Sequence, residues 1–157
     1  MSPRVSVVIP AYNCAGFIAK TLESVFAQTY KDYEIVVVDD GSTDNTGEAL
    51  KKYAGRIKYI RQENAGNSAA RNAAIRNSLG EYIAFLDHDD IWAPEKLEKQ
   101  VKMLEEYPKT GMVYSDGYVV DSSGKKLATF FKSAAPHRGS VAEDLFMGYF
   151  IPLLTVV

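Results

Sequence analysis

The sequence predicts an α/β protein, an open and mostly parallel sheet with helices packed against its faces. Three observations lead there. Four short runs rich in Val, Ile and Tyr (Val5–Ile9, Glu34–Val38, Ile57–Ile60 and Tyr82–Leu86) are spaced along the first half of the chain. Nearly continuous apolar runs of this length belong to strands covered on both faces, the habit of parallel sheets. Stretches of helical period lie between them, and that alternation builds βα units with right-handed crossovers. The 157 residues, 46% hydrophobic and 24% charged, match one globular domain that can bury a core.

The elements come in order along the chain. After the first strand, Phe17, Ile18, Ala19, Leu22, Val25 and Phe26 share one helical face. After the second, Asn45 with Glu48 three residues on marks a capped helix start that runs to about Tyr53. After the third, Ser68–Ser78 carries Ala69, Ala70, Ala73, Ala74 and Ile75 as an amphipathic helix reaching Leu79. Past the fourth strand, Pro94 opens a helix at its first turn, where a missing N–H costs nothing. It reaches about Tyr107, with Glu95/Lys99 and Glu98/Lys102 as i,i+4 pairs, and Pro108 and Gly111 close it. Met112–Tyr114, Tyr118–Val120 and Leu127–Phe131 read as short strands, the last two joined by the turn Asp121-Ser122-Ser123-Gly124. Ala134–Ser140 reads as a loop and Val141–Tyr149 as a helix. Phe150–Val157 is apolar and calls for a packing partner.

Composition excludes several function classes. Lys plus Arg number 18 and Asp plus Glu 20, a balance of −2, so no basic footprint for nucleic acid is present. A single cysteine, Cys14, rules out an intrachain disulfide framework and a thiolate metal site. No apolar run is long enough to span a bilayer, and Met1-Ser2-Pro3-Arg4 leads straight into a strand without a signal-peptide layout. The expectation is a cytoplasmic domain. There is no Gly-rich dinucleotide fingerprint, no Walker-type Lys loop and no nucleophile elbow.

In an open α/β sheet, ligands bind outside the carboxyl ends of the strands. The four strands run out into Pro10-Ala11-Tyr12-Asn13, Asp39-Asp40-Gly41-Ser42, Gln62-Glu63-Asn64-Ala65-Gly66 and Asp87-His88-Asp89-Asp90. Five carboxylates at two strand ends would raise one another's pKa unless a cation neutralised them. An oxygen-rich site of this kind suits Mg²⁺ or Mn²⁺. Asp87 and Asp89 are two residues apart, which points both to one side of an extended strand end. Asp is also a common turn residue, and Asp39-Asp40-Gly41-Ser42 reads as well as a turn. The string Asp87-His88-Asp89-Asp90 overshoots what a turn needs. His88 reads as a neighbour of these carboxylates pointing away from them rather than as a ligand. Tyr12 offers a flat ring to a base or packs. Asn64–Asn72 is a Gly-containing loop entering a helix, with Arg71 as a charge one turn in. Cys14 and Trp92 read as packing residues.

Together these strings resemble the family 2 glycosyltransferases with a GT-A fold. The matching stretches are Val5–Asn13, Glu34–Asp44, Asn64-Ala65-Gly66 with Ala70-Arg71-Asn72, and Phe85–Asp90, in the family's order and spacing across about residues 4–108. The resemblance implies a GT-A (Rossmann-like) sheet and a transferase, usually inverting, that takes a sugar from a nucleotide-diphosphate donor with a divalent metal. A UDP-sugar is the leading donor, and a glycan or lipid-linked molecule the acceptor, as in polysaccharide or cell-envelope biosynthesis. By position, Pro10, Ala11 and Tyr12 would line the nucleoside pocket. Asp40 would accept from the base with Asp39 beside it, and Arg71 would close the pocket. Asp87 and His88 would lie along the ribose and diphosphate, and Asp89, with Asp87, would hold Mn²⁺ or Mg²⁺. An inverting transfer needs a general base, which the family carries well after the metal loop. Glu143-Asp144 comes too early for it, and Asp116 and Asp121 are weak stand-ins. The expectation is therefore a donor half over residues 1–108 and the truncated start of an acceptor half over 109–157. The catalytic base would lie beyond Val157, and the site of work would be the cytoplasm or the inner face of the membrane. A non-catalytic nucleotide-sugar-binding module is the alternative. A phosphohydrolase using Asp87 fits worse, because Ile91 stands where such enzymes place a hydroxyl residue.

Overall fold

The computed structural model describes residues 2–121, 123–131, 138–141 and 151–157. Within them the chain runs β1 (Val5–Ala11), α1 (Ile18–Phe26), β2 (Tyr33–Asp40), α2 (Thr46–Lys51), β3 (Lys58–Gln62), α3 (Asn67–Arg76), β4 (Tyr82–Phe85), α4 (Lys96–Glu106), β5 (Tyr118–Val120) and β6 (Lys126–Thr129). The first four strands form a parallel sheet in the order β3-β2-β1-β4, and β5 and β6 form a separate antiparallel pair. The chain moves outward through β1, β2 and β3 and then crosses back to place β4 against β1. Such a reversal opens a crevice at the carboxyl ends of the strands.

Every residue of β1 is buried, and side chains alternate between two apolar layers as strand geometry requires. Val5, Val7 and Ile9 meet Ile35 and Val37 of β2 beneath Ile18, Leu22 and Val25 of α1 and Leu97, Val101 and Leu104 of α4. Val8, Val36 and Val38 face Ala70, Ala73 and Ala74 of α3 on the other side. The alanine stripe puts no bulk between α3 and the sheet. Helices thus cover both faces, as the apolar runs predict.

The structure departs from the sequence reading at several places. Phe17 precedes α1 and is 59% exposed, so it is not on the packed face. Pro94 lies before α4, which starts at Lys96. Asp87–Asp90 is not an extended strand end but a turn, in which the Asp90 N–H donates to the Asp87 carbonyl at 3.1 Å. β3 is an edge strand with Lys58, Tyr59 and Arg61 exposed, so its run is not covered on both faces. Asn45 makes no side-chain cap on α2. The Asp44 carboxylate serves instead, accepting from the Thr46 N–H at 2.9 Å and its hydroxyl at 2.5 Å. On α4 the Glu95–Lys99 pair forms at 2.5 Å, but Lys102 turns to Glu106 at 3.7 Å and Glu98 accepts from the Thr29 hydroxyl at 2.8 Å. Met112–Tyr114 is no strand of a sheet, although Val113 and Val157 exchange backbone hydrogen bonds of 2.8 and 2.9 Å.

That exchange gives the apolar final residues their partner. Phe85 N–H donates to the Val156 carbonyl at 3.3 Å, the Trp92 indole N–H donates to the Leu154 carbonyl at 2.9 Å, and Val156 and Val157 are buried. The loop expected over Ala134–Ser140 lies for the most part outside the described residues, as does the helix expected over Val141–Tyr149. Among the described residues no helix is long and apolar enough to cross a membrane.

Candidate functional site

The exits of β1 and β2 are stitched into one rim. Asn13 takes up a left-handed backbone (φ 46°), a conformation Asn tolerates better than most residues. From there its Oδ1 accepts from the Thr43 N–H at 2.8 Å while its own N–H donates to Ser42 Oγ at 3.0 Å. Cys14 N–H donates to Thr46 Oγ1 at 2.8 Å. Burial pushes the Cys14 thiol up to about 11, which leaves it an unreactive packing group. Gly41 turns the chain at φ +77°, and a Cβ there would lie 2.8 Å from the Asn64 backbone nitrogen. Asp39-Asp40-Gly41-Ser42 is therefore a turn and an acidic pair at once.

Beside this rim lies a cavity of about 250 Å³ lined by Pro10, Ala11, Tyr12, Asp40, Asn64, Gly66, Asn67, Ala70 and His88. Tyr12 is 45% exposed, so its ring can stack on a flat ligand. His88 Nδ1 is 3.1 Å from the Pro10 carbonyl oxygen. Only a protonated Nδ1 can bond to a carbonyl, which leaves Nε2 as the acceptor of the neutral ring. The His88 ring thus turns toward β1 and the cavity.

Asp40 is buried, and three neutral groups hold its carboxylate. Oδ1 accepts from Gln62 Nε2 at 2.6 Å and from the Ala65 N–H at 3.0 Å, and Oδ2 accepts from the Gly66 N–H at 2.8 Å. Burial alone would raise its pKa, but the donors of Ala65, Gln62 and Gly66 outweigh burial and hold it below the ordinary carboxylate value. A carboxylate offers about four acceptor directions, so roughly one remains for a ligand. Asp39, one residue earlier, faces the other side of the sheet. Its carboxylate accepts from the Ser42 N–H and the Tyr59 hydroxyl, each at 2.8 Å, and pairs with Arg61 at 3.3 Å. It is fully buried and does not line the cavity.

The β4 end is built differently. Asp87 pairs with Arg71 at 2.5 Å, both side chains partly exposed, and neither lines the cavity. Arg71 Nε is buried without a partner among the described residues. Asp89 is exposed, and its carboxylate meets no donor among the described residues. Asp90 is pushed up to about 6 by burial and by the charges of Asp89 and Asp87, which His88 only partly offsets. The five carboxylates therefore do not form one cluster. Asp39 and Asp40 are held by their own donors and Asp87 is paired with Arg71, which leaves Asp89 and Asp90 without a cationic partner among the described residues. Among the described residues no three His, Cys, Asp or Glu side chains converge as a metal cage. A hard divalent ion of the Mg²⁺ type needs only one or two protein carboxylates, and the exposed Asp89 with the partly exposed Asp87 could supply that many.

Each stand-in base is engaged through one of its two oxygens. One oxygen of Asp116 accepts from the backbone N–H groups of Gly117, Phe130 and Phe131 at 2.8, 3.1 and 3.2 Å. Asp121 Oδ1 accepts from Ser123 N–H at 2.9 Å, Ser123 Oγ at 2.6 Å and Lys125 N–H at 3.0 Å. Both carboxylates tie the β5–β6 hairpin. Glu143 and Asp144 lie outside the described residues.

Of the residues that the sequence points to, Pro10, Ala11, Tyr12, Asp40 and His88 all line the cavity. The lining also includes Asn64, Gly66, Asn67 and Ala70, with Gln62 behind them; the sequence reading places them at a strand end and in the loop entering α3 but gives none of them an individual role. These are small or neutral and carry no charge signature. The one available signal is their place in the loop after β3, next to the strand that bears Asp40.

The family model "Glycosyl transferase family 2" matches residues 6–139. The putative teichuronic acid biosynthesis glycosyltransferase TuaG of Bacillus subtilis is 41% identical over 109 residues, which are 66% of this chain and 43% of TuaG. The mannosyltransferase PcManGT of Pyrobaculum calidifontis, solved with GDP-Man and Mn²⁺, superposes with a TM-score of 0.64 at 32% identity, covering 77% of this chain and 36% of that one. S. aureus TarS, solved with UDP-GlcNAc, has a TM-score of 0.72 at 24% identity over 99% of this chain and 45% of its own, a likeness of fold. The sheet is thus of the GT-A type. This chain spans 15% to 44% of the lengths of the curated relatives it matches.

Proposed function

The chain belongs to glycosyl transferase family 2, and from that membership we propose that it carries the donor side of a glycosyl transfer. It binds a nucleoside diphosphate sugar, a UDP-sugar first among the candidates, for transfer to an acceptor hydroxyl with inversion. The observation that carries this reading is the cavity at the strand ends, where an exposed Tyr12 ring and a buried, anionic Asp40 share one lining. Tyr12 stacks on the base, and the open acceptor direction of Asp40 receives an N–H from its edge. His88 Nε2 faces the ribose and diphosphate. Asp89 and Asp87 would hold Mn²⁺ or Mg²⁺, which when bound offsets the charge of the leaving diphosphate. Arg71 steadies Asp87.

Residues 1–108 supply this donor half, and 109–157 begin the acceptor side. The structures solved with UDP-GlcNAc and with GDP-Man and Mn²⁺ support a nucleotide-sugar donor and a divalent ion. The relation to TuaG, named for teichuronic acid biosynthesis, supports a glycan acceptor made for the cell envelope. Asp116 and Asp121 are not assigned the proton acceptor's role, because each ties the hairpin through Oδ1.

Calorimetric titration of the chain with UDP, with and without Mn²⁺, tests the reading. Saturable binding that Mn²⁺ tightens is expected. No heat under either condition would overturn it. Turnover by these 157 residues alone would show that they contain the base.

A further inference from the structure

We propose that Gln62 is a positioning residue for nucleotide recognition: from the edge strand it pins the Asp40 carboxylate so that its open acceptor direction meets a base edge bearing an N–H. This rests on the nucleotide reading above and adds to it a residue outside the cavity lining.

Gln62 ends β3 and stands in register with Asp40 at the end of β2. Its Nε2 lies 2.6 Å from Asp40 Oδ1. The amide cannot be turned the other way, because its carbonyl oxygen would then face a carboxylate oxygen with no proton between them. The other two donors, Ala65 and Gly66 N–H, sit in the loop before α3 and move if that loop moves. Gln62 alone holds Asp40 from a strand, and groups on rigid elements fix a site more closely than loops do.

No cation shares the task. Among the described residues Asp40 forms no ion pair, and the nearby Arg61 of β3 is spent on Asp39 and the Ser42 carbonyl. The remaining ionisable neighbours are also accounted for. Asp39 and Tyr59 bond to each other on the opposite face, Arg71 of α3 is paired with Asp87, and Glu63 is exposed. Tyr12 and His88 share the cavity lining with Asp40 and form no hydrogen bond to it among the described residues. Neutral donation, with the Gln62 amide as its one side-chain member, is therefore what keeps Asp40 anionic while buried.

The test is UDP binding by the full chain, measured from acid to mildly alkaline pH, for the wild type, Gln62→Met and Gln62→Glu. Gln62→Met removes the donor at similar volume. It should weaken binding about 5-fold near neutrality and move the acid limb up by about one pH unit, as the loss of one hydrogen bond to an ion implies. Gln62→Glu sets two carboxyls face to face. While protonated, the introduced carboxyl donates as the native amide does and binding stays near wild type, whereas on ionisation it repels Asp40. Binding by this variant should therefore fall as pH rises, the opposite slope. A wild type that binds no UDP overturns the nucleotide reading and this proposal with it. A wild type that binds, with both variants unchanged or equally weakened at every pH, overturns the proposal alone. Should a variant fail to fold, the wild type decides by NMR. The Gln62 side-chain amide protons must titrate with the midpoint of the acid limb for UDP, and a shift without that midpoint overturns the assignment.

Discussion

The two acidic strand ends use the same residue type in opposite ways. At the end of β2, Asp39 and Asp40 are buried and held by several donors each, and Asp40 lies below the ordinary carboxylate range. At the end of β4, Asp89 is exposed without a donor, and Asp90 is raised to about 6 by burial and its charged neighbours. Local hydrogen bonding completes the first pair. Charge from outside is needed to complete the second group. A fixed anion suits recognition of a neutral base edge, and an uncompensated group suits a cation shared with phosphates. The contrast shows that a count of carboxylates hides two chemically different groups.

The largest effect separates the two ends by stability. Asp40→Ala leaves the Ala65 and Gly66 N–H groups and the Gln62 amide without their acceptor, and should cost about 3 kcal/mol in urea unfolding and abolish measurable UDP binding. An Asp40→Ala chain as stable as wild type would break the comparison. Asp39→Asn keeps the Ser42 bond but weakens the Tyr59 and Arg61 contacts. It should cost about 1.5 kcal/mol while changing UDP affinity less than about 3-fold. A larger loss of affinity would place Asp39 in the binding site itself.

Much of this is legible in the sequence, and the limits have physical causes. β1 and β2 are readable because both of their faces are buried, so their apolar runs are nearly continuous. β3 misleads because its order in the sheet, at the edge, is a three-dimensional fact that no run length records. The opposite facing of Asp39 and Asp40 is available from the two-residue period of a strand. Which of them meets the cavity depends on where α3 packs. Asp44 displaces Asn45 as the cap of α2 because its carboxylate reaches both Thr46 donors. Gln62 stays silent because a neutral amide has no signature until its acceptor is placed.

The smaller predictions sharpen the β4 end. Asp90 has a folded-state pKa of about 6, above the ordinary value of 3.8. The native state therefore binds more protons than the unfolded chain between those values, and stability falls as pH rises through that window. Asp40 has the opposite sign, its contribution being present above 3.8 and lost as pH falls through its lowered value. Asp90→Asn should then stabilise the chain by about 1 kcal/mol at pH ~7, after allowance for solvent screening, and flatten urea-unfolding stability between pH ~4 and ~6. Unchanged pH dependence would remove the charge build-up. Asp89→Ala should alter stability by less than about 0.5 kcal/mol, because its exposed side chain has no partner to lose among the described residues.

That last variant gives the most direct test. UDP is titrated into the wild type and into Asp89→Ala, each with and without Mn²⁺. The wild type should bind at least ~10-fold more tightly with Mn²⁺, by about 1.4 kcal/mol, and Asp89→Ala should bind equally with and without it. Wild-type binding indifferent to Mn²⁺, or an Asp89→Ala variant that keeps the full Mn²⁺ effect, would contradict the division of labour between the two strand ends.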